Sequence, residues 1–454
     1  MKRPRSSITT LSLFATIALS PCTLDITLAA LHRNGVDYDD ENDSSLLSTT
    51  LHNNPDGSTP MKKTSLIVNL STSTHPRASS SSSSNNNNKL KHRTVDTSYT
   101  PQIPLIGIGV GNIPHNRIPY ILASATLPPS KKKGELNFYG EALNYRLIDT
   151  SHTDSALEVL VGRSLSRLSS SSPSKNSAPA SIGDDSSSNV YHVMIKIWHT
   201  HLGYERTMLS VQDSLSDILP EKKDTAHNNK KGLPSSSTTK SSNDSDGGPD
   251  IRIHAILQYP RCYNELFTSN SYLSSPNFPI KYTSCQEEED ALDENTKQIS
   301  GTSPLLDKEN AWKRSYRALE ELYHHGTIES IGISNFGPSD LEQLFDLATV
   351  GPHVYQGSLR TLLSQNEMIE MLVKHGVHYQ CYDVASTIMN GKEKAHGAYQ
   401  KLERLGAKHN GGSSDESSYG YSPVQVVLGW LVHHRGVGVI PGTTGKKSLL
   451  CCND

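Results

Sequence analysis

The 454-residue chain is short of apolar material: 34% of its residues are hydrophobic, 6% are aromatic, and Phe and Trp number 6 and 3. A chain this long with so little to bury must leave much of itself outside any core. It carries little net charge, -3, and has no basic stripe with interleaved aromatics, which argues against nucleic acid as a partner. The Lys131-Lys132-Lys133 run sits beside Pro and Gly and reads as a solvated loop. The cysteines Cys22, Cys262, Cys285, Cys381, Cys451 and Cys452 form no CxxC, and no histidine cluster has zinc-ligand spacing. Neither a metal site nor a disulfide framework is expected, although one Cys262–Cys285 bridge within a single long loop stays open if the protein is secreted. The apolar run at 11–19 is too short for a comfortable membrane span, so no stable span is expected.

What is there divides by composition. Lys2, Arg3 and Arg5 precede that apolar run, and Leu28-Ala29-Ala30 offers small residues for cleavage. Residues 1–30 therefore resemble a signal for secretory or organellar targeting. The alternative is a disordered start with a chance apolar patch on a cytoplasmic protein. Residues 31–98 read as a disordered, low-complexity linker, ending in a Ser run and Asn85 to Asn88. Polar stretches near 169–189, 221–248 and 261–308 read as surface insertions in an otherwise orderly region, 99–454.

That region holds eight short apolar runs, at 104–110, 145–149, 191–196, 251–258, 328–335, 353–356, 377–382 and 437–441. Helical patterns lie between most of them. Leu157, Leu160, Val161 and Leu165 share one stripe, as do Met208, Val211, Leu215 and Leu219, and Trp312, Tyr316, Leu319 and Leu322, with Gly326 placed as a carboxy-terminal cap. Ser339/Glu342, Ser364/Glu367 and Ser422/Gln425 have capping-box spacing, the last with Pro423 at the first helical position. Eight strands alternating with helices predict a (β/α)8 TIM barrel with long disordered insertions. An open doubly wound sheet is the other candidate, but Gly107, Gly109 and Gly111 alternate as GxGxG where that fold shows GxGxxG.

The runs end in Asp149, Lys196, Gln258, Ser334-Asn335, Gln356, Tyr382 and Thr443-Thr444, and in a barrel these ends share one rim. Period-2 alternation aims Lys196 inward above Met194, with Val193 and Ile195 facing the helices, and aims Asp149 inward with Leu147. A Lys facing an Asp in an apolar barrel is costly unless the two pair. A structural salt bridge is the alternative to a catalytic role.

With Tyr145-Arg-Leu-Ile-Asp-Thr150, Lys196-Ile-Trp198, the stretch 312–336, Tyr382 and Val439-Ile-Pro-Gly-Thr-Thr444, the chain resembles the aldo-keto reductase family from about residue 100 onward. The resemblance implies a barrel that binds NADP(H), ahead of NAD(H), and acts on a small-molecule carbonyl. It implies that Ser334, Asn335 and Gln356 hydrogen-bond the nicotinamide carboxamide, that Tyr382 stacks on the ring, and that Pro441, Gly442, Thr443 and Thr444 border the cofactor. Plain barrel packing is the alternative for Tyr382, and a helix-capping turn for Ser334-Asn335. Asp149 and Lys196 match two catalytic slots.

The sequence also departs from the family. Asp154 stands where the family has its tyrosine acid, and Gln258 where it has histidine. An Asp, with an unperturbed pKa of about 3.9, is a poor proton donor beside an ammonium. Gln258 can donate an N–H to a carbonyl oxygen but has no proton to give up. His152, His199 and His201 lie near the rim and read as exposed loop residues, the alternative being that one of them substitutes as the acid. Gly442 and Ser448 replace the cations that hold a 2′-phosphate in many members, with Lys446 and Lys447 close by. The last covering helix and the substrate loop have no counterpart, so a truncated last helix is expected. Two readings follow: a reductase of aldehydes or ketones, or a catalytically degenerate nucleotide-binding or regulatory member. Substrate and oligomeric state stay open.

Overall fold

A computed structural model describes residues 67–70, 101–126, 145–151, 155–170, 190–219, 249–264, 266, 284–299, 303–408 and 420–442. The signal-like segment, nearly all of the linker, most of the stretches near 169–189 and 221–248, and Asp154, Thr443, Thr444 and the expected missing last helix lie outside these residues.

The apolar runs become the staves of a barrel. After the short strands β1 (Ile67–Asn69) and β2 (Gln102–Pro104) come β3 (Gly107–Gly109), β4 (Leu147–Asp149), β5 (Val190–Ile197), β6 (Asp250–Leu257), β7 (Ser330–Ser334), β8 (Val354–Ser358), β9 (His378–Tyr382) and β10 (Gly438–Val439). β3 to β10 form an eight-stranded sheet in sequence order, every pairing parallel. Parallel bridges from Ile106 to Val439 and from Gly109 to Gly442 join its two edges, so no long edge is left open. Parallel strands need crossovers, and the helices Ser155–Ser170, Tyr204–Ile218, Ala311–His324, Pro338–Leu347, Asn366–Lys374 and Pro423–Arg435 supply them. This is the (β/α)8 fold that the alternation predicts.

Alternation sorts each strand between two cores. Val193, Ile195, Ile197, Ile253, Ala255, Leu257, Ile331 and Ile333 face the helices and share a core with Trp312, Tyr316 and Leu319. Leu147, Met194, Ile256, Val354 and Ile440 point inward and pack with Leu70, just after β1, and Ile103 of β2. The antiparallel pair β1–β2 precedes β3 directly, so it covers the amino-terminal end of the barrel. Gly332 on β7 leaves room inside: a Cβ there would lie 2.2 Å from Ile256 Cδ1, and that side chain would have to shift.

Helix starts agree with the sequence in one case of three. Ser422 and Gln425 form the expected capping box, with Pro423 at the first position. The Ser339/Glu342 box does not form. That helix begins two residues earlier, at Pro338 with Gly337 as its N-cap, and the Asp340 carboxylate accepts from the Gly337 N–H at 3.2 Å. Ser364 ends the helix Leu359–Ser364, so the Ser364/Glu367 box does not form either; the next helix starts at Asn366. Gly326 has φ +70° just past the helix Ala311–His324, as a terminating glycine should.

Part of the polar stretch 261–308 is organised. Short helices Cys285–Asp290 and Glu294–Ile299 form there, and Tyr259, Cys262, Tyr263, Leu266 and Cys285 make a small core of their own. Cys262 and Cys285 are joined as a disulfide, the bridge that the sequence left open. Its model-dependent effect, closing a loop of 23 residues in the unfolded chain, is about 3 kcal/mol. No helix among the described residues is long and apolar enough to cross a membrane.

Candidate active site

β4 and β5 end side by side, and their last inward side chains meet at the barrel mouth. Lys196 Nζ donates to Asp149 Oδ1 at 2.5 Å and also to Gln356 Oε1 from β8. The side chains of Lys196 and Asp149 are 5% and 16% exposed, so the pair is withdrawn from water. Burial pulls the lysine ammonium below its usual range, and the Asp149 charge and hydrogen bond oppose that pull. An unpaired ammonium at this depth would neutralise, and the carboxylate lets the charge stay. Met194, one inward step below Lys196, packs where the alternation puts it.

Gln356 spans the site. Its Nε2 donates to Asp149 Oδ1 at 2.9 Å and to Gln380 Oε1 at 2.8 Å. Gln380 lies fully buried on β9, in register with Gln356. In the sequence only its inward parity, two residues before Tyr382, marks it. Gln380 Nε2 is buried with no hydrogen-bond partner among the described residues.

Ser334 and Asn335 end β7 next to this network. Ser334 Oγ donates to the Gln356 carbonyl at 2.9 Å. Asn335 has φ +60°, a left-handed geometry that Asn tolerates better than most residues. Its Nδ2 reaches the Gln258 carbonyl at 3.0 Å and Ser334 Oγ at 3.2 Å. The two side chains tie β7 to β6 and β8, and they do not cap the following helix, which Asp340 serves. Arg261 pairs with that buried Asp340, fixing the exit of β6 to the same helix start.

Gln258 stands half-buried just past β6, and its Oε1 is buried without a hydrogen-bond partner among the described residues. Tyr382, at the end of β9, is half-buried. Burial, with Asp383 and Cys381 nearby, pushes its phenol well above the ordinary range. Pro441 is buried and accepts from the Gly109 N–H at 3.1 Å, and Gly442 is exposed beside it. Asp149, Lys196, Gln356, Ser334 and Asn335 are thus one connected network, and Gln258 joins it through its carbonyl. Asp154, Thr443 and Thr444 lie outside the described residues.

His199 corrects the exposed-loop expectation: it is 1% exposed. Its Nε2 meets Glu288 Oε2 at 2.8 Å, and burial lowers its pKa against the opposing carboxylate. Glu288 belongs to the polar stretch 261–308, and nothing in its sequence context marks it.

Ser334, Asn335, Gln356 and Gln258 offer hydroxyl and amide groups of both donor and acceptor character around one cation. An orphaned acceptor at the mouth and this donor set fit a ligand carrying a carboxamide. The family model described as Aldo/keto reductase family matches residues 291–450. A 9,11-endoperoxide prostaglandin H2 reductase of Trypanosoma cruzi is 31% identical over 135 residues, 30% of this chain and 43% of that protein. A glyoxal reductase of Bacillus subtilis is 32% identical over 139 residues, 31% and 44% of the two chains. An NAD(P)H-dependent D-xylose reductase of Pachysolen tannophilus is 30% identical over 143 residues, 30% and 42%. The chain spans less than half the length of these curated relatives. A crystal structure of an aldo/keto reductase from Brucella melitensis aligns at 18% identity and a TM-score of 0.45, covering 78% of this chain and 89% of that one. Over residues 291–450 the chain is thus similar to the aldo/keto reductase family.

Proposed function

We propose that the protein is an NAD(P)H-dependent oxidoreductase that reduces a small aldehyde or ketone to an alcohol. The observation that carries this reading is the Lys196–Asp149 pair at the barrel mouth, joined to the amide and hydroxyl groups of Gln356, Ser334 and Asn335. Ser334, Asn335 and Gln356 would hold a nicotinamide carboxamide, and Tyr382 would lie against the ring. A bound nicotinamide nucleotide supplies hydride. Lys196, kept charged by Asp149, stabilises the oxygen that turns into alkoxide, the Gln258 amide donates to the same oxygen, and solvent water supplies the proton that completes the alcohol. The D-xylose reductase relative is named for NAD(P)H and the glyoxal reductase for a small dicarbonyl, which supports this substrate class. NADPH is the preferred nucleotide of this proposal, with Lys446 and Lys447 as its cations. The Cys262–Cys285 bridge and the signal-like start together support an oxidising compartment.

A second reading rests on Gln258. A neutral amide in this slot can orient a carbonyl but has no proton to transfer, which favours a nucleotide-binding member without turnover. Titrating NADPH and NADH while following nicotinamide fluorescence, then assaying an aldehyde panel, separates the two. Binding with turnover is expected. Binding alone gives the second reading, and binding of neither nucleotide reduces the claim to the barrel.

A further inference from the structure

Beside the proposed catalytic network stands a second, independent construction. After β5 the chain runs through Trp198 into the turn His199–His201, and after β6 it runs through Gln258 into Tyr259, Cys262 and Tyr263. Over both lies the helix Cys285–Asp290. Its Glu288 receives three side chains at once: Trp198 Nε1 donates to Oε2 at 2.8 Å, His199 Nε2 meets the same oxygen at 2.8 Å, and Tyr263 Oη donates to Oε1 at 3.0 Å. The rings of Trp198 and Tyr259 meet edge to face with centroids 5.1 Å apart, and Tyr263 packs against His199 at 5.1 Å.

A helix of six residues does not hold itself in place. Two devices fix this one. The Cys262–Cys285 disulfide joins its first residue to the residue before Tyr263, so covalent bond and Tyr263–Glu288 hydrogen bond run side by side. Arg206, 1% exposed, clamps Glu289 with contacts of 2.9 and 3.0 Å. The Arg206 clamp orients the helix from the outer side. The disulfide fixes it to the exit of β6, beside the partly exposed Trp198, which follows Lys196 by two residues just past the end of β5.

We propose that Glu288, carried to the barrel mouth by the Cys262–Cys285 disulfide, is a positioning residue that fixes Trp198 as the substrate-side wall beside Lys196, so that substrate affinity depends on the disulfide. This rests on the reductase reading for its kinetic consequence, though not for its structural one. Glu288 acts through the indole it holds. Cleavage by a dithiol balances simply: the dithiol closes to its own disulfide and gives up two hydrogens, one to each of the Cys262 and Cys285 sulfurs.

The test uses the full chain with and without dithiothreitol, and the variants Glu288→Ala, Glu288→Gln and Cys262→Ser/Cys285→Ser. Iodide quenching of tryptophan fluorescence, corrected with a Trp198→Phe variant, reads the indole without requiring turnover. Trp198 should become more quenchable on reduction, in the double serine variant and in Glu288→Ala, with Glu288→Gln between these and the native chain. For a reduced carbonyl, KM should rise about tenfold with kcat much less changed. Native-like circular dichroism and nucleotide binding must persist, and if a variant fails to fold, the dithiothreitol titration of the native chain decides. Unchanged quenching in both the reduced chain and Glu288→Ala overturns the proposal. If the native chain binds no nucleotide, the reductase reading fails, while the quenching still decides what Glu288 does.

Discussion

Lys196 and Asp149 depend on each other energetically. Replacing Lys196 by Met leaves a partly buried carboxylate facing the amides of Gln356 with its cation gone, and breaking a buried pair in this way costs about 3 kcal/mol. Changing both to apolar residues, as in Asp149→Leu/Lys196→Met, removes the stranded charge and should return much of that loss. Urea unfolding of the two variants checks this: if the single and double variants are equally destabilised, the ion pair is not the source of the cost. The inward aim of Asp149 and Lys196 was legible because strand parity is rigid, and one inward neighbour fixes the rest. Gln380 was equally accessible to that argument. Glu288 and the burial of His199 were not, because both depend on a loop helix that no periodicity announces.

At the scale of elements, the helices around the barrel leave little slack. Gly162 on the helix Ser155–Ser170 touches the end of the helix Tyr204–Ile218, and a Cβ there would lie 2.5 Å from the Ile218 carbonyl oxygen and 2.6 Å from that of Asp217. Backbone cannot swing aside as a side chain can. Gly162→Ala should therefore destabilise by roughly 1–3 kcal/mol, despite the higher helix propensity of Ala, which favours it by about 1 kcal/mol. Thermal melts read the sign directly; a stabilised variant would mean that the helices separate freely. The strands and most helices were readable because parallel strands buried on both faces leave continuous apolar runs. The helix starts at Pro338 and Asn366 were not, because several Ser, Asp and Gln residues near each could serve, and the chain path selects among them.

The molecule as a whole carries its sensitivity to acid in its buried histidines. His192 Nδ1 lies 2.9 Å from His254 Nε2, and His254 Nδ1 lies 2.7 Å from Ser330 Oγ. His353 Nδ1 accepts the Ile331 N–H at 3.1 Å, while its Nε2 and that of His378 are buried without partners among the described residues. Burial holds His192 down to about 3, with Arg252 adding to the effect. Burial also holds His353 and His378 down to about 4 and His254 well below its ordinary value. These imidazoles are neutral when folded and bind protons below about 6.5 when unfolded. Between pH 6.5 and about 4 the unfolded chain thus takes up more protons, and stability falls as pH falls. The loss is on the order of 2 kcal/mol for each fully buried imidazole at pH 5. Burial raises the carboxyl pKa of Glu158, so this group favours the folded chain on acidification and works against the loss. Asp213 and Asp217 shift the same way but lie closer to water, where screening weakens them. One buried carboxylate against His192, His254 and His353 leaves the histidines dominant. The urea midpoint should therefore drop between pH 7 and pH 5, and less so in His254→Gln, which keeps hydrogen-bonding groups without a titrating ring. A midpoint that is flat over that interval would mean that the interior histidines are already charged in the folded barrel, against the burial that surrounds them.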